Sequence, residues 1–228
     1  SVFARLPVRY TQCADYFDHP VQAIPVAGYS ALVAAMLCHP KIDLHLGYNV
    51  TAETVEGFDH VFWTGPIDAY FGYCYGHLAY RSLRFAHERI TGWAQSVAVV
   101  NYPVRDVPWT RITEHRHFAS HSAARGSVLT REYPFEAGPD DTPYYPVRLA
   151  HEKAQLGQYV AAASAQDRVS FAGRLGTYRY LDMDVAIREA RSLAHASVKA
   201  LRRHAPPLSS RLRLKLASLP NPSYTLDR

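Results

Sequence analysis

Phe171-Ala-Gly-Arg-Leu-Gly-Thr-Tyr-Arg-Tyr-Leu-Asp-Met-Asp184 is the stretch whose reading decides the fold. Before it, Val169–Ala172 is an apolar run of strand character, and it enters Gly173-Arg-Leu-Gly176. After it, Asp182 is placed to N-cap a helix whose apolar stripe is Met183, Ile187, Ala190, Ala194, Val198 and Leu201. Asp184 in the first turn and Arg202, Arg203 and His204 in the last complement the helix dipole. A strand, a glycine-bearing turn and a helix start in succession present free N–H groups and partial positive charge. The glycines let a flat ring approach the backbone. Local physics therefore asks for an anionic, aromatic ligand and names no reaction.

Working outward, Pro25-Val-Ala-Gly28 opens a helix with Leu32, Val33, Met36 and Leu37 on one stripe, and Pro40 stops it. Lys41–Asn49 alternates, with Ile42, Leu44 and Leu46 on one face, which predicts a strand. His60–Thr64 reads as a short strand closed by Gly65-Pro66, and Ile67–Leu78 as a helix with Ile67, Phe71, Cys74 and Leu78 on one face. From Tyr80 to Val147 the segments Leu83–Ile90, Ser96–Val104, Thr110–Phe118 and Ser127–Phe135 are β-rich and separated by turns, the pattern of an antiparallel meander. Residues 148–166 read as a helix interrupted by Gly157. The fold class expected is α+β.

Composition bounds the function. The chain has 228 residues, 48% apolar and 20% charged, enough to bury a core. No apolar run approaches the roughly 20 residues of a membrane helix, and no signal peptide is visible. Cys13, Cys38 and Cys74 form no Cys-x-x-Cys, so zinc-knuckle and redox-pair readings fall away and reduced thiols in a cytoplasmic protein are expected. The net charge of +5 suits an anionic partner. The basic residues are mostly scattered singly and carry no nucleic-acid-binding motif, so a small phosphorylated ligand is favoured over nucleic acid.

No G-x-G-x-x-G, P-loop, G-x-S-x-G or H-E-x-x-H occurs. His115 and His117, with His121 nearby, are expected on a solvated strand edge and loop rather than on a metal, because no acidic third ligand has fitting spacing. Tyrosine is abundant, with 16 in the chain, and Tyr16, Tyr133, Tyr144, Tyr145, Tyr178 and Tyr180 stand beside prolines or arginines in loop-like positions. A phenol suits sugar, base or phosphate contact, while any one of these tyrosines taken alone is expected to pack at a sheet edge. Arg5, Arg9, Arg81, Arg111 and Arg174 lie next to turns, glycines or prolines, where a guanidinium fork can meet a diphosphate.

These motifs resemble the prokaryotic UDP-galactopyranose mutases. The matching stretches are Arg5-Leu-Pro-Val-Arg-Tyr10, Asp15-Tyr-Phe17, Ile24-Pro-Val-Ala-Gly-Tyr29, Thr64-Gly-Pro-Ile-Asp68, Leu78-Ala-Tyr-Arg-Ser82, Val107-Pro-Trp-Thr-Arg-Ile-Thr-Glu-His115, Thr142-Pro-Tyr-Tyr-Pro146 and Gly173–Asp184, in the family's order. The resemblance implies an isomerase that interconverts UDP-galactopyranose and UDP-galactofuranose through a flavin N5–sugar adduct, with FAD in its reduced form as cofactor. It implies that Arg5, Arg111 and Asp182 are catalytic. Tyr16, Phe17, Asn101, Tyr145 and Tyr180 would join Arg5 and Arg111 in binding UDP-galactose. Arg81, Gly173, Arg174, Tyr180, Leu181, Asp182 and Met183 would contact FAD. A homodimer is compatible with the resemblance.

The domain organisation it implies is a mobile substrate loop over 1–17, part of an FAD-binding domain over 18–78 and an antiparallel substrate sheet over 79–147. A return to the FAD-binding domain follows over 148–204, then a basic tail over 205–228. The family's G-x-G-x-x-G module, which grips the FAD pyrophosphate, does not occur in these 228 residues. The expectation is thus a C-terminal portion of a longer mutase, or a chain whose front a second polypeptide supplies, and one that does not retain FAD alone. The alternative is a UDP-sugar-binding module without turnover, or an inactive fragment.

Overall fold

Val169-Ser-Phe171 is apolar at both ends because it runs as a buried strand, beside a second short strand of the same character. A computed structural model describes residues 20–118, 125–147 and 153–202. Within them the chain forms two units.

The first unit holds residues 49–82, 136–147 and 153–202. Its β1 (Val61–Trp63) pairs in parallel with β7 (Val169–Phe171), with Trp63 opposite Phe171. Against them pack α2 (Ile67–Tyr70), α3 (Lys153–Ser164) and the one-turn α4 (Gly173–Gly176). Aromatic rings fill this core edge to face: Tyr70 meets Trp63 at 5.1 Å and Phe171 at 5.0 Å. Gly176 is required by close approach, because a Cβ there would lie 2.7 Å from the Trp63 carbonyl oxygen. The first residues of β2 (Tyr80–Thr91) pair antiparallel with β6 (Tyr145–Pro146), placing Arg81 opposite Tyr145. The long α5 (Met183–Arg202) follows the Gly173–Asp182 turn.

In the second unit the remainder of β2 adjoins β5 (Gly126–Glu136), which pairs antiparallel with β4 (Arg111–Glu114), which pairs with β3 (Val99–Asn101). The expected antiparallel sheet is present, but only β3, β4 and β5 follow one another as a meander: β2 lies beside β5, so the chain passes from β2 to the far edge to begin β3. Ile112 and Leu129 turn to the buried face, while Arg111, Glu132 and Asn101 share the opposite one. Helix α1 (Gly28–Leu37) also belongs to this unit and has no buried residue.

Glu114, with 0% exposure, anchors the loop after β2: its carboxylate accepts the N–H groups of Ala94 at 3.2 Å and Gln95 at 2.7 Å. Burial pushes this carboxyl up, but the Gln95 and Ala94 N–H groups and nearby His117 outweigh it, leaving Glu114 below its ordinary value. A depressed folded value means the folded state binds this proton less readily than the unfolded chain. The stability Glu114 contributes is thus full above about pH 4.3, the ordinary glutamate value, and is lost as pH falls through the lower folded value. Glu114→Gln is expected to lower stability at pH 7 and to flatten that acid limb, read from urea midpoints across pH.

Four further sequence expectations need correction. Lys41–Asn49 forms no strand: among the described residues no partner ladder meets it, Gly47 turns the chain at φ +68, and Leu46 is 82% exposed. The helix expected over Ile67–Leu78 ends at Tyr70, because Gly72, Tyr73 and Gly76 all take positive φ and convert the rest into turns. The strand expected through Phe118 ends at Glu114 and tightens into a 3-10 turn, His115–Phe118. In α5 the residues facing inward are Val185, Ala186, Glu189, Leu193 and Ser197, whereas Met183, Ile187 and Val198 of the expected stripe are exposed. The helix carries apolar residues on two faces, and the small, mixed face is the one that packs.

Candidate functional site

The Gly173–Asp182 turn is built by its own hydrogen bonds. Gly173 takes φ +73, and its carbonyl accepts the Thr177 N–H at 3.1 Å and the Thr177 hydroxyl at 2.6 Å. The Arg179 N–H reaches the Arg174 carbonyl at 2.9 Å, and the Arg179 guanidinium forms a two-pronged ion pair with Glu189 of α5. This geometry sends Tyr178 inward and Tyr180 outward.

Around Tyr180 several expected site residues meet. Its ring stacks on Tyr145 at 5.8 Å with 15° between the planes. The Arg174 guanidinium lies 4.6 Å from the Tyr180 centroid and 5.1 Å from that of Tyr145, and it donates to the Leu181 carbonyl at 2.6 Å. Arg81, paired with Tyr145 across the β2–β6 ladder, stands 3.8 Å from the Glu136 carboxylate. Asp182 and Met183 follow, both exposed, with Met183 at 57%. Tyr145, Tyr180, Arg174 and Arg81 thus stand together, with Asp182 and Met183 next along the chain.

A second group sits on the second unit's sheet. Arg111 and Asn101 are direct cross-strand partners, and the Arg111 Nε donates to Asn101 Oδ1 at 3.0 Å. Glu132, opposite on β5, lies 3.8 Å from Arg111 Nη1. The Asn101 contact uses the side of the guanidinium away from its terminal fork and fixes the plane of the group. Arg5, Arg9, Tyr16 and Phe17 lie outside the described residues, as do Cys13 and His121.

The two described strand-end histidines go to different partners: His115 Nε2 meets the Thr130 hydroxyl at 2.7 Å, and His117 Nε2 the Gln95 carbonyl at 3.0 Å. Among the described residues no cluster of three or more His, Cys, Asp or Glu could hold a metal ion. Tyr178, grouped in the sequence with the tyrosines that offer a face to ligand, is fully buried and offers none. Asp68 and Tyr80, which brace the start of β2, lie in stretches that carry the family resemblance, but nothing in the sequence joins them to each other. A left-handed tyrosine and a buried carboxylate are visible only in three dimensions.

The UDP-galactopyranose mutase family profile matches residues 1–180. The chain belongs to this family. It is 44% identical over 190 residues to a "Probable UDP-galactopyranose mutase" of Klebsiella pneumoniae, covering 83% of this chain and 50% of that relative. It is 41% identical over 207 residues to the dTDP-fucopyranose mutase of Escherichia coli (87% and 55%). With the UDP-galactopyranose mutase of Mycoplasma pneumoniae it shares 31% over 213 residues (86% and 53%). The chain spans about half the length of these curated relatives. A solved reduced UDP-galactopyranose mutase overlays 54% of this chain and 37% of its own at a TM-score of 0.43 and 14% identity, too slight to add to the sequence match.

Proposed function

We propose that this chain is the substrate-binding part of an FAD-dependent UDP-galactopyranose mutase, an isomerase that interconverts the pyranose and furanose forms of UDP-galactose. The family match over residues 1–180 carries this reading, and the Arg174–Tyr145–Tyr180 cluster supports it. Arg111, oriented by Asn101, grips the diphosphate through its terminal nitrogens, and Asn101 itself stands near the sugar. Arg5, Tyr16 and Phe17 bind the same nucleotide sugar, with Arg5 closing over the diphosphate. Tyr145 and Tyr180 donate their hydroxyls to phosphate oxygens.

The residues assigned to FAD fit a flat, partly anionic ring system. Gly173 carries no Cβ, and among the described residues only the Thr64 side chain, at 3.9 Å, approaches the place one would occupy. Tyr180 and Met183 present exposed apolar surface, and Arg81 is half exposed. Reduced FAD, when bound, supplies the nucleophile for the anomeric carbon. Arg111 would hold the diphosphate of UDP, Tyr145 and Tyr180 would donate to its oxygens, and Asp182 would contribute its carboxylate beside bound flavin. Among the described residues no helix is long and apolar enough to cross a membrane. Free thiols at Cys38 and Cys74 fit a reducing compartment, and we place the protein in the cytoplasm.

A specific observation favours a second substrate: identity to the dTDP-fucopyranose mutase is nearly as high as to the Klebsiella relative. Both sugar nucleotides present the same diphosphate to Arg111. Calorimetry with UDP, UDP-galactose and dTDP-fucose, beside a pyranose-to-furanose assay with reduced FAD, decides between them. UDP binding is expected at micromolar affinity. Absence of binding to all three ligands would overturn the function proposed.

A further inference from the structure

Of the two tyrosines in the Gly173–Asp184 stretch, Tyr180 faces outward and Tyr178 is sealed inside with 0% exposure. Tyr178 holds φ +48, a left-handed backbone that disfavours a residue bearing a Cβ, so its surroundings must hold it there. Its hydroxyl lies 2.6 Å from the Ala79 carbonyl and 2.8 Å from that of Val147. One hydroxyl proton thus faces two acceptors, and the two acceptors flank the β2–β6 ladder next to the Arg81–Tyr145 pair. The Val147 N–H closes the same corner onto the Ala79 carbonyl at 2.9 Å. The Tyr178 ring meets Tyr80 edge on at 5.3 Å, and the Tyr80 hydroxyl donates to buried Asp68. Two residues further on, Tyr180 stacks on Tyr145 under the Arg174 guanidinium.

We infer that Tyr178 is a positioning residue: its buried hydroxyl ties the turn carrying Tyr180 to the strand ends carrying Tyr145 and Arg81, and so sets the spacing of that cluster. The consequence for ligand rests on the function proposed above; the positioning itself does not. Tyr159 is a matched comparison in the same unit. It too is 0% exposed, donates its hydroxyl to the Gly76 carbonyl at 2.7 Å and accepts the Tyr75 N–H at 3.1 Å. A general role in core stability would make the two tyrosines behave alike.

The test uses the full chain, isotope-labelled, as wild type, Tyr178→Phe, Tyr159→Phe and Tyr178→p-aminophenylalanine, whose amine restores a donor. Two quantities are read: the nuclear Overhauser cross-peak between the Tyr145 and Tyr180 rings without ligand, and the Kd for UDP. Wild type and Tyr159→Phe are expected to keep the cross-peak and to share one Kd within twofold. Tyr178→Phe is expected to lose the cross-peak and bind UDP about tenfold more weakly, and the amine variant to recover both. A cross-peak that persists in Tyr178→Phe, or is lost equally in Tyr159→Phe, overturns the inference. If Tyr178→Phe does not fold, wild type warmed below its unfolding transition serves instead. The cross-peak is then expected to fade together with protection of the Tyr178 hydroxyl proton, and its survival after that protection is gone overturns the inference. A wild type with the cross-peak and no affinity for UDP overturns the proposed function while supporting the positioning role.

Discussion

On the function proposed above, Arg111→Ala is expected to weaken UDP binding about 100-fold and, in the complete enzyme, to remove mutase turnover, and Arg111→Lys to recover little of either. Each charge-assisted hydrogen bond to a phosphate contributes about 1.5–3 kcal/mol. Two such bonds from one fork supply roughly 3–6 kcal/mol before ordering costs, and about 2.7 kcal/mol already corresponds to 100-fold in Kd. The ordering cost is reduced here, because the Nε–Asn101 contact holds the guanidinium plane before ligand arrives. Lysine places a point charge on a flexible stem, cannot donate two parallel bonds and has no Nε to meet Asn101. Calorimetry with UDP measures the first effect and a pyranose-to-furanose assay the second. Glu132, 3.8 Å away, sharpens the test: without Arg111 its carboxylate faces the incoming diphosphate uncompensated. A Kd unchanged in Arg111→Ala would remove Arg111 from the diphosphate site.

What the sequence made legible depended on whether local pattern and tertiary partner agreed. The β-rich composition between turns predicts strands at β2 and β5, and each has a ladder to complete. Lys41–Asn49 alternates, yet among the described residues it pairs with nothing and forms no strand. Periodicity reports which residues share a face, and the pairing that turns a face into a strand is non-local. In α5 the length and position were legible but the packing face was not, because apolar residues occur on both sides and only contact with the rest of the unit chooses between them.

The candidate site shows the same division. Arg111, Tyr145, Arg174 and Tyr180 are identifiable by type as residues suited to a diphosphate or a ring, but the meeting of Tyr145 with Arg174 and Tyr180 is not, since they lie far apart in sequence. Tyr178 shows why: residue type leaves a phenol free to face ligand or to pack, and only the folded chain, with a backbone at φ +48 and no exposure, places this one in the core. The supporting layer behind a site is made of such residues, and their signal lies in burial and in hydrogen-bond partners rather than in composition.

That supporting layer carries the largest expected effect on stability. Asp68→Ala is expected to destabilise the protein by about 3–5 kcal/mol and to lower Tm by roughly 10 °C. Asp68 is 1% exposed in the first turn of α2, and its two carboxylate oxygens have separate duties: Oδ2 accepts the Leu78 N–H at 2.9 Å and Oδ1 the Tyr80 hydroxyl at 3.0 Å. Alanine leaves both donors buried without an acceptor, and each such orphan costs about 1–3 kcal/mol, to which a small cavity adds. Asp68→Asn keeps one oxygen and turns an amide N–H₂ toward the other donor, so about half the loss is expected. Tyr80→Phe removes one donor and leaves the Leu78 bond intact, for about 1 kcal/mol. In a double-mutant cycle Asp68→Ala and Tyr80→Phe should therefore be less than additive, because the second change removes one of the donors that the first orphans. Thermal unfolding followed by circular dichroism reads all of these. The damage would also travel: Tyr80 packs on Tyr178 and precedes Arg81, so the corner that spaces Tyr145 from Tyr180 loosens with it. A Tm within 2 °C of wild type in Asp68→Ala would mean that water reaches Leu78 and Tyr80, and that the corner is not the sealed brace the geometry describes.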